Sequence, residues 1–324
     1  MRSLFAVELT RLRWRRAVVL LLLLAVAIPG VMLAARAWTT RPMTQSEIAQ
    51  IRADAEGQIS ECLQHPRRYG VPPQHRDRAQ RDCERSILTW QLHRDKLTLA
   101  GERSNGSGVA VVAVLTALLL LMGTTFVGHD WSTGSMSNQL LFEPRRGRVW
   151  TAKALAVTTV ALVTAAIVST AYWLGVWGLM LARDLPVRDG ALVDSLAFGL
   201  RGAGFAAAAA LGGFALTTLF RSTVATMGVL FAVTVAGGLV VAMLGIGEHW
   251  QPQKNVGAIV KNGTIYYRHV PQSCYREEGQ LQHEGSPCDP AATLSATAGV
   301  GYYGAALLLT IGASTISFRR RDVA

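Results

Sequence analysis

The sequence predicts an all-α polytopic membrane protein. It has six transmembrane helices, an N-terminal amphipathic surface helix and two extracytoplasmic inserts, one a helical hairpin and one a small loop containing a β-hairpin. Three observations carry this. Half of the 324 residues are hydrophobic, and they gather into runs near ~20 residues, the length that crosses the ~30 Å hydrocarbon core of a bilayer. The net charge of +11 sits largely in arginines that flank those runs; this is the membrane-surface use of basic residues, so nucleic acid is not an expected partner. All four cysteines fall in the two polar inserts.

Residues 1–16 carry Arg2, Arg11, Arg13, Arg15 and Arg16, with Phe5, Leu9 and Leu12 at helical spacing, the pattern of a helix lying in the membrane interface. Residues 17–35 form the first span. The run is longer than the apolar core of a secretion signal, so an uncleaved N-terminus is expected. Residues 38–105 are the first insert. Thr44 and Glu47 have capping-box spacing. Ile48, Ile51, Ala55, Ile59 and Cys62 trace one helical face, and Cys83, Ile87, Trp90 and Leu97 trace another. Gly70 and the pair Pro72-Pro73 break the chain between them. The two faces must meet, so a Cys62–Cys83 disulfide is expected outside the cytoplasm.

Residues 107–128 are the second span, 129–153 a polar connection, and 154–181 the third span, whose Trp173 and Trp177 are expected at a membrane interface. Residues 191–220 are the fourth span, rich in Gly and Ala, which lets helix backbones approach closely. Arg221 and Ser222 make a tight turn into the fifth span, 223–246. The second insert is 247–292. There Asn262-Gly263 precedes Thr264-Ile265-Tyr266-Tyr267, the signal for a two-residue hairpin, and Cys274 and Cys288 are close enough in sequence to pair. The sixth span is 293–317 and the basic tail 318–324. Arginines of the short segments place both termini and the 129–153 connection in the cytoplasm. The first insert is also Arg-rich, but loops beyond ~60 residues escape that rule.

The chain has no G-x-x-x-x-G-K and no Gly-Lys pair at all, hence no phosphate-cradling loop of its own. It also lacks H-E-x-x-H, C-x-x-C and G-x-S-x-G. No catalytic residue, cofactor or metal is expected in this chain, and its scattered histidines are expected as surface groups. Asp194 and Arg201 are ionisable residues within the fourth span, on one helical face. They are either a snorkelling pair at the membrane edge or an outer gate.

The 129–153 connection organises the rest. In it Asp130 is expected to cap a helix start, Met136, Leu140 and Leu141 to share one side of that helix, and Pro144 to stop it near Phe142. Arg145, Arg146, Arg148 and Lys153 follow. The string resembles the loop between the second and third membrane helices of ABC-2 type transporter permeases. In that family an acidic residue closes the second helix, a Gly/Thr-containing coupling helix follows, and a Pro, a basic residue and a Lys lead into the third helix. Asp130, Thr133, Gly134, Pro144, Arg145 or Arg146, and Lys153 fill those places. The order Ser132-Thr133-Gly134-Ser135 and the Asp in the acidic place depart from the pattern, as does the large first insert.

Together with six spans and a surface helix, the resemblance covers nearly the whole chain. It implies a permease subunit that moves a lipid, peptide or drug-like molecule outward. It further implies an ABC ATPase subunit that carries ATP and Mg and docks on Asp130, Thr133, Gly134, Met136, Leu140, Leu141, Arg145 and Arg146. A second permease subunit, the same or different, and membrane lipids complete the partners. The expected location is a plasma membrane, a bacterial inner membrane. The competing reading is a membrane-anchored receptor or sensor whose extracytoplasmic domain binds a ligand or protein. A secondary transporter would need ionisable residues at mid-membrane, and spans one, two, three, five and six have none.

Overall fold

The computed structural model describes residues 2–71, 76–92, 94–244, 247–268, 270, 274 and 288–320. Pro72-Pro73 and the side chain of Trp90 lie outside the described residues. The chain forms two compact units, residues 34–98 and the remainder.

The larger unit is a helical bundle. It begins with α1 (Arg2–Trp14) and α2 (Arg16–Thr39), whose residues 34–39 belong to the smaller unit. A short α5 (Leu99–Ser104) leads into α6 (Ser107–Ser132). Then come α7 (Ser135–Phe142), α8 (Arg146–Leu181), α9 (Ala191–Phe220) and α10 (Thr223–Met243). After α11 (Pro252–Lys261), strands β1 (Thr264–Tyr267) and β2 (Ala291–Leu294) pair antiparallel, and α12 (Ala296–Arg320) closes the unit. Six of these helices, α2, α6, α8, α9, α10 and α12, are long and apolar enough to cross a membrane.

The core lies along α9, which packs chiefly against α6 and α8 and less against α12. Ala203, Ala206, Ala207 and Ala210 are buried there with hardly any side chain to separate the backbones, the close approach expected of small residues between membrane helices. Trp173 is 1% exposed and meets Tyr172 and Phe198 edge to face. It is therefore a core residue, not the interfacial anchor its place near a helix end suggested; the glycine face of α9 leaves room for its ring, with Gly199 lying against it. By contrast α10 and α2 keep most of their apolar surface outward, as bilayer-facing helices do.

Several bounds differ from the sequence reading: α2 runs on to Thr39, four residues past the expected 35, and α12 covers Ala296–Arg320 where 293–317 was expected, because residues 293 and 294 belong to β2. Helix α6 continues past residue 128 to Ser132, and α8 starts at Arg146, eight residues before the expected 154. The Asn262-Gly263 pair is not a hairpin turn. Asn262, at φ 63°, ends α11 in the left-handed region, and the N–H of Gly263 donates to Ala258 O at 2.8 Å. This is the helix-ending use of Asn and Gly, and β1 instead pairs with a strand beyond the second disulfide. That disulfide joins Cys274 and Cys288.

The smaller unit is the expected hairpin of α3 (Gln45–Gln64) and α4 (Arg76–Gln91), joined by a 3-10 turn at Pro66–Tyr69 that ends on Gly70. The capping box is present: Glu47 N donates to Thr44 Oγ1 at 3.2 Å and Thr44 N to Glu47 Oε2 at 2.8 Å. Ala55, Cys62, Val71, Cys83 and Ile87 form its small core, with Cys62 bonded to Cys83.

Candidate functional site

The 129–153 connection folds as α7, isolated by a turn on each side. Gly134 precedes it at φ 67°, a backbone conformation that costs glycine little and most residues more. Pro144 follows it and holds Glu143 extended at φ −129° and ψ 92°, so the helix stops at Phe142 as expected.

Asp130 does not cap α7. It lies inside α6, fully buried, and its carboxylate is taken by cations from two other helices. Lys153 Nζ stands 2.6 Å from Asp130 Oδ2, Arg11 Nη2 stands 2.9 Å from Oδ1, and Arg15 pairs with the same Oδ1. Lys153, 1% exposed, also reaches Glu8 Oε2 at 3.0 Å. Glu8 is fully buried and accepts from Gln139 Nε2 at 2.5 Å and from Arg11 at 3.3 Å. Arg11 in turn donates to Gln139 Oε1 at 2.8 Å and to Ser135 Oγ at 2.5 Å. Arg15 completes the shell by donating to the carbonyl of Phe126, with its guanidinium 4.8 Å above that ring.

The result is a hub of two carboxylates and three cations drawn from α1, the break between α1 and α2, α6 and α8, with Ser135 and Gln139 of α7 bonded into it. Charges withdrawn from water are tolerated only when paired and hydrogen-bonded. Here each acid has several donors, and removing one partner would strand the rest. Four helices are thereby fixed to one another at the end of the bundle that carries α7.

The expected common face of α7 divides. Met136 is 1% exposed and points into the bundle, Leu140 is half-buried, and Leu141 and Phe142 are 80% and 92% exposed. At ~100° per residue Leu141 lies about 140° round from Met136, which is why one faces the hub and the other faces away. Met136 is therefore an internal anchor and cannot enter a partner. Thr133 Oγ1 donates to His129 O at 2.7 Å and ends α6. Arg145 is exposed and Arg146 half-buried at the start of α8.

At the other end of the bundle Asp194 and Arg201 are not joined. Asp194 pairs with Arg188 at 2.9 Å and Arg103 at 3.4 Å, while Arg201 Nε donates to Val260 O at 3.0 Å. Arg201 thus ties α9 to α11.

Sequence reasoning missed Glu8, Arg11, Arg15 and Gln139 as members of the site. One signal was available: Glu8 is the sole acidic residue before Glu47, set in a strongly basic stretch. A lone acid there suggests a partner elsewhere. Fold and site define a polytopic helical membrane protein with a buried ionic hub beneath a short surface helix. Family models, curated proteins and solved structures yield no match to this chain.

Proposed function

We propose that the chain is the membrane-spanning permease subunit of an ABC-2 type exporter, driven by a separate ATPase subunit. One observation supports this best: α7 presents Leu141 and Phe142 outward while Ser135, Met136 and Gln139 hold it to the hub. An exposed Phe beside an exposed Leu is the kind of anchor that fills a groove on a partner, and such anchors commonly carry ~2 kcal/mol or more of an interface. A push on α7 would pass through Arg11, Glu8 and Lys153 to three other helices without a soft joint. The outward anchors are Leu141 and Phe142, with Arg145 and Arg146 beside them. Asp130, Gly134 and Met136 serve by positioning α7.

On this reading α7 and both termini are cytoplasmic, a second permease subunit pairs with this one, and ATP and Mg are held by the ATPase. The substrate is exported outward. The receptor alternative draws on the separately folded, disulfide-closed unit at 34–98, which could bind a ligand without transport. Purification of the tagged double variant Leu141→Asp/Phe142→Asp tests the choice. Loss of a co-purifying ATP-binding chain, with the six-span fold retained, fits the permease reading. Capture of the same chain in undiminished amount would sink it.

A further inference from the structure

We propose that the cleft between the starts of α8 and the end of α12 binds the phosphate of an anionic membrane lipid. The cleft is a shallow, widely open recess of about 500 Å³, lined by Arg145, Arg146, Gly147 and Arg148 from one side and Arg319 from the other. Its two walls are fixed. Trp150 Nε1 donates to Ser314 Oγ at 3.2 Å, and Trp131 meets Phe318 edge to face at 6.1 Å, which pins the end of α12 against the bundle. Arg319 then lies across Gly147 so closely that a Cβ there would stand 2.9 Å from its Nη2. Arg146 Nη1 reaches Arg319 O at 3.4 Å.

Among the described residues no acidic side chain forms an ion pair with Arg145, Arg148 or Arg319. This contrasts with the hub a few residues away, where each cation has a carboxylate. Arginines gathered around one cleft repel one another, and an oxyanion offering several acceptors relieves that and suits their planar forks.

The surroundings select a lipid over a soluble anion. Leu155 is 54% exposed and stands seven residues from Arg148 on α8, and Ile316 is 55% exposed and stands three residues from Arg319 on α12. Those spacings put each apolar side chain on the same helix face as its arginine, one to two turns deeper into the apolar span. A ligand with a charged head and apolar chains meets both features. Basic pockets between membrane helices are the sites that hold anionic headgroups. The inference needs no ATPase, so it stands or falls separately from the proposed transport role.

The test uses the full-length protein in mild detergent, with bound lipid read by native mass spectrometry after exchange against equimolar phosphatidylglycerol and phosphatidylcholine. The wild type is expected to retain phosphatidylglycerol on the order of tenfold or more better than phosphatidylcholine, since only the former brings a net negative headgroup to the arginines. Millimolar inorganic phosphate should not displace it. The triple variant Arg145→Gln/Arg148→Gln/Arg319→Gln should lose the preference, while Arg188→Gln, at the other end, should keep it. Equal retention of the two lipids by the wild type, or an unchanged preference in a folded triple variant, overturns the proposal. Displacement by inorganic phosphate overturns the choice of a lipid. If the triple variant does not fold, the wild-type preference and the single variants Arg148→Gln and Arg319→Gln decide.

Discussion

Lys153 donates to Glu8 across 145 positions of sequence, with Nζ 3.0 Å from Oε2 and both side chains sealed from solvent. The same ammonium holds Asp130 at 2.6 Å. This contact locks the N-terminal helix α1 to α8, one of the six helices long and apolar enough to cross a membrane.

Lys153→Met leaves two buried carboxylates short of a partner, and breaking a buried pair from one side costs about 3–5 kcal/mol. The expected outcome is a clear drop in the thermal midpoint of the purified protein, followed by size-exclusion chromatography after heating. Glu8→Gln keeps the shape and one acceptor, so its loss should be smaller, about 1–3 kcal/mol. A Lys153→Met protein as heat-stable as the wild type would show that the hub carries no weight in the fold.

The hairpin unit has a core of few residues, and the Cys62–Cys83 bond closes it. Cys62→Ser should cost that unit about 2–5 kcal/mol. Limited proteolysis should then cut within 34–98 while α6 to α12 stay intact. Uniform resistance across the chain would argue that helix packing alone maintains the hairpin.

Glu47 lies outside the spans, and its carboxyl is held below its ordinary value. The N–H of Thr44 is the largest cause; desolvation opposes it, and the Thr44 hydroxyl, Arg41 and Arg94 add to the lowering. For an acid lowered on folding, the stabilisation is present above the unfolded value and fades as pH falls through the folded one. Acidification should therefore loosen the start of α3, seen as faster amide hydrogen exchange there. Glu47→Gln preserves the capping-box bond without a titrating group and should flatten that response. Because the group is still partly open to solvent the effect is small. An identical pH response in both proteins would remove Glu47 as its source.

The six spans, the capping box and both disulfides were legible because each rests on a local or compositional signal: apolar length, a three-residue spacing, cysteines in two polar segments. The stop at Pro144 was legible for the same reason. The hub was not, because Glu8, Asp130 and Lys153 are drawn together by tertiary packing that no window of sequence contains. Asp130 reads as a helix cap since Asp before a polar stretch commonly is one, yet Arg11, Arg15 and Lys153 claim its carboxylate. Asn262-Gly263 failed differently. The same dipeptide ends helices and makes hairpins, and only the packing of Val260 and Ala258 into the bundle chose between them.

The exposed side of α7 is the surface proposed to meet an ATP-hydrolysing partner. The most direct test places a photoreactive amino acid at Phe142 in the full chain in its native membrane. Cross-linked products are then probed with azido-ATP. A separate ATP-binding chain should be captured at Phe142 and not from Val193, an exposed position at the start of α9. If no ATP-binding chain is captured at Phe142, or if Val193 captures it equally well, α7 is not the docking element and the permease reading fails.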